Sequence, residues 1–330
     1  MKNRNKGRIL ATGMCMALLL SGCKIGGKEF VISNSLDNRE VFQIGEDTCG
    51  IKEAKVYLVN YQNIYGTAYG LDLWEHNFGD DSLETYVKDI TMKELVQILG
   101  MNQLAVSLEM ELTEEELGMV DLAAASYYDS LSEDELSYLG VSEGDIEEFY
   151  SHYALAQKLY NSLTSEVNEE VSDDEARVME VMQIYVTDEA KATEVANKLA
   201  AGEDFASIAN NYNELSTIQT YLSRGECPEE LENIAFQMDN QEISGIIKVE
   251  GGYYFIRCLN IYDEELTEAN KANIVEKREK EAFDDVYNAY IETLTSHINE
   301  EVWNGIEVDT TADITTNSFF EIFEQYCGDI

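Results

Sequence analysis

Few side chains in this 330-residue chain could do chemistry, and their spacing excludes more than it offers. Three histidines, His76, His152 and His297, stand far apart, in no spacing that would ligate a metal. Six cysteines, Cys15, Cys23, Cys49, Cys227, Cys258 and Cys327, contain no Cys-x-x-Cys pair, so neither a redox motif nor a zinc site is expected. There is no Ser/His/Asp or Cys/His arrangement, no phosphate-binding glycine loop and no EF-hand spacing. Hydrolase, nucleotide-dependent and redox functions are therefore disfavoured, and no cofactor or metal is expected. What remains is the strand-like run VMQIYV (181–186), which sets Gln183 and Tyr185 near its end. An amide and a phenol form hydrogen bonds, but neither titrates near neutrality as an imidazole does. They either stabilise a polar transition state or simply hold the interior of a sheet together.

The elements that must position these groups are legible around them. Met179 to Val186 reads as a strand, Thr187 as the cap of a helix from Asp188 to Ala201, and Asp204 as the start of another through Asn211. After a loop, ECPEELENIAFQM contains a short helix. QEISGIIKV, the turn EGG and YYFIRCLNI then read as two strands. The order β-α-α-loop-α-β-β makes a small sheet with helices packed against it.

On either side the pattern is helical. TMKE (91–94), TEEE (113–116) and SEDE (132–135) place Ser or Thr three residues before Glu, and Ser142 in SEGD offers a further cap. Ile146, Phe149, Tyr150, Tyr153, Ala156, Tyr160 and Leu163 step by three or four along one helix face. KVYLVNY, within residues 40–62, suits either a strand or a helix start. A second long helix is expected from Thr267 to about Asn299, then a strand-like return in EVWNGIEV (301–308) and a polar tail ending in a short helix.

Composition, 45% hydrophobic with 10% aromatic, argues for a folded chain. Against 65 acidic residues stand 22 basic ones, a net charge of −43. Nucleic acid is thereby excluded as a natural partner, because phosphate contacts need the opposite sign. The acidity is either a solvated, self-repelling surface or a field that draws in basic unfolded segments. Lys2, Arg4, Lys6 and Arg8 precede the apolar run Ile9 to Leu20, which is shorter than the roughly 20 residues of a membrane span and fits a signal-peptide core. The run ends in LSGC (20–23), which resembles the lipobox of bacterial lipoproteins. That resemblance implies cleavage after residue 22, acylation of Cys23 and a membrane anchor for an otherwise extracytoplasmic chain. An ordinary secretory cleavage site is the other reading. The remaining four cysteines allow three disulfide pairings, among which sequence does not choose.

The middle of the chain resembles the parvulin-type prolyl isomerases. VMQIYVTDEAKATEVANKLAAGEDFASIANNYN is similar to that family's opening strand and two helices, and IAFQMDNQEISGIIKVEGGYYFI to its closing segment. The flanking helical parts resemble the chaperone segments of PrsA- and SurA-type foldases, and the lipobox points to the PrsA type. The resemblance implies an α+β fold, a mainly helical chaperone module with an inserted parvulin-like domain of small antiparallel sheet and packed helices. Its parts would be a signal peptide at 1–22, an N-terminal helical module at 23–171, the parvulin-like domain at 172–262, and a C-terminal helix and tail at 263–330 packing with the N-terminal module. Active members of the family use two histidines in a network with a Cys or Asp, beside a pocket lined by Met and Phe. Carried over by position, the histidines fall on Gln183 and Tyr254, and the third network position falls near Glu214 or Leu215. The pocket falls on Cys227, Leu231 and the retained Phe236. Gln183 and Tyr254 are expected to hydrogen-bond across adjacent strands. The function implied is a lipid-anchored foldase or holdase for newly exported, unfolded polypeptides, with weak or no isomerase activity. An active isomerase with an unusual site is one alternative, and a surface lipoprotein with a single dedicated partner is another.

Overall fold

The computed structural model describes residues 28, 30–32, 36–69, 77–78, 81–307 and 313–330. The expected leader (1–22), Cys23 and His76 lie outside the described residues. The architecture is mixed α+β, mostly helical with small sheets, and divides into two compact units, Met1–Ser165 with Lys280–Ile330, and Glu166–Glu279.

The first unit is built around the helix Leu83–Ser107, in which every residue from Glu94 to Asn102 is buried. It packs against the helices Ile51–Tyr69 and Glu143–Thr164. Gly100 permits a close approach, since a Cβ there would lie 2.5 Å from Ile291 Cδ1 and 2.8 Å from Tyr287 Oη. Ser82, not Thr91, caps this helix. Thr91 sits mid-helix and its hydroxyl donates to Val87 O, so TMKE is not a helix start. The boxes at Thr113, Ser132 and Ser142 form as expected, each side chain accepting from the backbone N–H three residues on. KVYLVNY is helical, inside Ile51–Tyr69.

Strands β1 (Val31–Ile32), β2 (Glu40–Ile44) and β3 (Asp47–Gly50) join the late strand β10 (Ser296–Ile298) in the order β1-β10-β2-β3. β2 and β3 form an antiparallel hairpin, β10 pairs antiparallel with β2, and β1 parallel with β10. A two-residue ladder, β4 (Asn77–Phe78) with β5 (Asp81–Ser82), precedes the central helix. The strand expected at EVWNGIEV is displaced: β10 takes that role, and Glu300–Asn304 is helical, capped by the Asn299 side chain. The last helix, Phe319–Cys327, is driven into the core. Phe319 stacks on Tyr150 at 4.3 Å, and Phe323 meets Tyr153 edge-on at 4.6 Å. Burying such a ring contributes roughly 2–3 kcal/mol. Its buried N–H is satisfied, because Phe319 N donates to Asn60 Oδ1 at 3.0 Å.

The second unit is a four-stranded antiparallel sheet, β6 (Val178–Val186), β7 (Gln219–Ser223), β8 (Ile247–Val249) and β9 (Gly252–Asn260), in the order β7-β6-β9-β8. β7 lies in the stretch expected to be a loop; its mixed polar pattern and single buried residue gave no strand periodicity. Asp188, rather than Thr187, caps the helix Glu189–Ala200, and Asp204 caps Phe205–Tyr212. Side-chain alternation along β6 and β9 splits the interior in two. Ile184, Val186 and Phe255 pack under those two helices. Met179, Val181, Ile256 and Cys258 face the helix Glu229–Ala235. Cys49, Cys227, Cys258 and Cys327 are all free thiols.

Candidate functional site

On the second of those faces, β6 and β9 set Val181 opposite Cys258, Gln183 opposite Ile256 and Tyr185 opposite Tyr254. The register decides the geometry. Gln183 and Tyr254 are diagonal, not directly paired, and no hydrogen bond joins them. The expected Gln183–Tyr254 bond is replaced by two separate arrangements. Gln183, only 7% exposed, donates through Nε2 to Thr217 O at 3.2 Å, while its own N–H donates to Ile218 O at 2.8 Å. One of its two side-chain N–H donors holds the loop before β7 against the sheet.

Tyr254 meets Tyr185 instead, with ring centroids 4.7 Å apart and planes tilted by 46°. Tyr185 is fixed at both ends: its N–H donates to Asn213 Oδ1 and its hydroxyl to Gly251 O, each at 2.9 Å. Gly252 is required beneath the ring, since a Cβ there would stand 2.6 Å from Tyr185 Cε2, Cζ and Oη. Burial, then the neighbouring Tyr185 and Cys227, raise the Tyr254 phenol above its ordinary value, so it stays protonated at neutral pH.

Glu214 does not join this group. Its carboxylate accepts from Thr187 N and Oγ1 and pairs with Lys191 Nζ at 2.7 Å. The Lys191 bond, with those from Thr187, holds it down at about 2. It is a surface brace at the start of the helix Glu189–Ala200. Cys227 is half-buried beside the tyrosines; burial first, then Glu232 and Glu226, push its thiol up to about 11. A thiol so protonated is an apolar wall, not a nucleophile. Leu231 and Phe236 are buried. Phe236 carries two cations on its ring, Arg224 at 4.5 Å and Arg177 at 5.0 Å from the centroid. Arg224 is in turn bound to Asp174 and lies near Glu232. The Phe236 ring is thus roofed by arginine.

Residues 141–273 match the family model of the PPIC-type PPIase domain. That stretch is a parvulin-type domain. The chain's relatives include the foldase protein PrsA of Halalkalibacterium halodurans, 28% identical over 233 residues, covering 64% of this chain and 69% of that one. The foldase protein PrsA 1 of Listeria innocua is 26% identical over 213 residues, 60% of this chain and 70% of its own. A crystal structure of PrsA from Bacillus cereus aligns over 75% of this chain and 96% of its own, at 18% identity and a TM-score of 0.40.

Neither Gln183 nor Tyr254 carries an imidazole that could shuttle a proton near neutrality. The Glu166–Glu279 segment contains no histidine at all. Of the other two within the described residues, His152 belongs to the first unit, bound to Glu53 at 3.0 Å, and His297 lies in β10 of the same unit. Sequence reasoning placed Tyr185 on the strand but gave it no partner. Alternation from Gln183 puts it on the same face, which was the available signal. The arginine roof over Phe236 had none, since Arg177, Arg224 and Phe236 are distant along the chain.

Proposed function

We propose that this chain is a lipid-anchored, extracytoplasmic foldase that holds newly exported polypeptides and has little or no prolyl isomerase activity. Turning an X–Pro bond means crossing a barrier of about 18–20 kcal/mol. A protein lowers that barrier by aiming polar groups at the twisted amide inside an apolar pocket. Here the Gln183 amide is committed to Thr217 O and the Tyr185 hydroxyl to Gly251 O. That commitment of one Gln183 N–H and of the Tyr185 hydroxyl is the observation that carries the reading. What the site retains is the half-buried Tyr254 phenol among apolar and aromatic surface, suited to gripping an extended chain.

The foldase assignment is supported by the relatives named PrsA and by the PPIC-type match. The anchor rests on the LSGC run, with Cys23 as the acylated residue. No described helix is long and apolar enough to cross a membrane. The division into 23–171, 172–262 and 263–330 belongs to the same proposal, with the helical module as the main client surface. Full-length protein should suppress aggregation of an unfolded exported substrate at near-stoichiometric amounts. Unchanged aggregation would refute the holdase reading. Mass spectrometry of the mature N-terminus should find diacylglycerol on Cys23, and a free N-terminal thiol there would remove the anchor.

A further inference from the structure

The last segment of the first unit, residues 313–330, is held by the surrounding helices chiefly through its main chain. Asn63 Nδ2 donates to Ile314 O at 3.2 Å and to Thr316 O at 2.9 Å. Glu135 Oε1 accepts from Thr315 N at 2.9 Å and from Thr316 N at 2.7 Å. Asn60 Oδ1 accepts from Phe319 N, Tyr150 Oη donates to Phe319 O, and Asn161 Nδ2 donates to Ile330 O. The two threonine hydroxyls add contacts to Glu135 at 3.4 Å and to Tyr127 at 3.1 Å. Side chains from the helices Ile51–Tyr69, Glu133–Leu139 and Glu143–Thr164 thus hold a backbone, which is how a groove grips a peptide with little regard to its sequence.

What the groove selects is aromatic. Phe319 and Phe323, four residues apart on one face of the last helix, are buried against Tyr127, Tyr150 and Tyr153. Phe320 lies on Tyr61 with ring centroids 4.8 Å apart, and on Tyr57 at 5.5 Å. Below these rings the floor of the groove is unsatisfied. Tyr57 Oη and Glu94 Oε1 are buried without a hydrogen-bond partner among the described residues, and Tyr61 hydrogen-bonds Glu94. Seating the segment keeps water from both atoms, and lifting it lets water reach them, which offsets part of the lost packing. The closed arrangement carries a cost that the open one does not, the condition for a two-state cover.

We infer that residues 313–330 are an intramolecular plug, and that the groove they fill is a client-binding surface for unfolded polypeptide segments presenting two aromatic residues four apart. This rests on the foldase reading above and adds a binding surface and its regulation. The same geometry sets a rule for the occupant. Both amides received by Glu135 must carry a hydrogen, so proline is refused at those two positions.

The test uses full-length protein and a fluorescent peptide of residues 313–330. In the wild type the plug competes with the peptide, so apparent affinity falls with the fraction of open grooves. Phe323→Ala weakens the plug and leaves the groove intact, and should bind the peptide at least about ten-fold more tightly than wild type. Asn63→Ala weakens plug and groove together, and should gain less than about three-fold. A purely structural helix would make both variants lose ground alike. In the Phe323→Ala protein, a peptide with Thr315→Pro and Thr316→Pro should bind at least about ten-fold more weakly than one with Thr315→Ala and Thr316→Ala.

Hydrogen exchange of the wild type reads the plug without any substitution: amides of Phe319–Cys327 should open while those of Leu83–Ser107 stay protected. Exchange of both helices only through one common unfolding would overturn the inference. So would a folded Phe323→Ala protein with no gain in binding, loss of Leu83–Ser107 protection in that variant, or equal binding of the Pro and Ala peptides. In aggregation assays on the same samples, Phe323→Ala should suppress at a lower ratio than wild type, and excess 313–330 peptide should cancel the gain. Equal suppression by both proteins removes the plug and leaves the foldase reading standing, whereas suppression by neither removes the foldase reading itself.

Discussion

Glu94 should make the helical unit less stable as pH rises through neutrality, and Glu94→Gln should abolish most of that loss. The side chain lies on the central helix Leu83–Ser107 and is 4% exposed. One carboxyl oxygen, Oε1, is buried without a hydrogen-bond partner. Around it stand the phenols of Tyr57 and Tyr61 from the helix Ile51–Tyr69, and of Tyr153 from Glu143–Thr164. Burial raises its pKa from the ordinary 4.5 to about 7, against the opposing hydrogen bond from Tyr61. Because the folded value is the higher one, stability is fully present below about pH 4.5 and is lost as pH rises through 7. At 1.36 kcal/mol per pH unit the loss approaches about 3 kcal/mol by pH 8. A neutral glutamine keeps the shape and removes the charge. Glu94→Gln should therefore be near neutral at pH 5 and stabilising by about 2–3 kcal/mol at pH 8. Urea unfolding followed through the buried Trp303, in a Trp74→Phe background, measures this at each pH. The His152–Glu53 pair sets the residual slope. Burial opposes the imidazolium, but Glu53 outweighs it and raises the His152 pKa above 6.5, so its contribution also fades with rising pH. If Glu94→Gln keeps the wild-type slope, or is destabilising at pH 8, the buried carboxyl is not the titrating group.

Glu135→Ala should cost about 2–4 kcal/mol, because the carboxylate caps through Ser132 N and accepts from Thr315 N and Thr316 N, leaving those amides without it. Burial works against that carboxylate, but the three amides hold its pKa below the usual 4.5, so its contribution is present above that value and is lost in acid. Thermal melts at pH 7 and pH 3.5 should show the gap between wild type and variant narrowing at the lower pH. Gly252→Ala should destabilise the second unit by about 1–3 kcal/mol through collision with the Tyr185 ring. Hydrogen exchange of the β8–β9 amides reads this directly, and wild-type protection would show that the ring moves aside freely. Gln183→His with Tyr254→His should not by itself create a fast isomerase, because Thr217 O and Tyr185 remain placed to engage the new side chains.

How much of this was visible in sequence depended on whether a local rule or a long-range partner decided the outcome. Caps and alternation are local. Thr113, Ser132, Ser142 and Asp204 behave as their spacing says, and β6 and β9 are strands where expected. Thr91 carries the same capping signal yet sits inside a helix, because Ser82 upstream starts that helix and buried neighbours extend it. KVYLVNY is β-branched and aromatic, but tertiary burial makes it helical. β7 and β10 have weak patterns and exist through pairing with β6 and β2, which no short window contains. Gln183 and Tyr254 were legible one by one as strand residues. Their failure to meet was not, since it follows from a register that sets Tyr185, and not Gln183, across from Tyr254.

The account turns on a site that grips and does not rotate, and exchange spectroscopy on an X–Pro peptide tests that most directly. With full-length protein at high micromolar concentration, the cis and trans signals should keep the spontaneous exchange time of about 10–100 s while the peptide's resonances shift on binding. Acceleration that grows with protein concentration and disappears in Tyr254→Ala would contradict it.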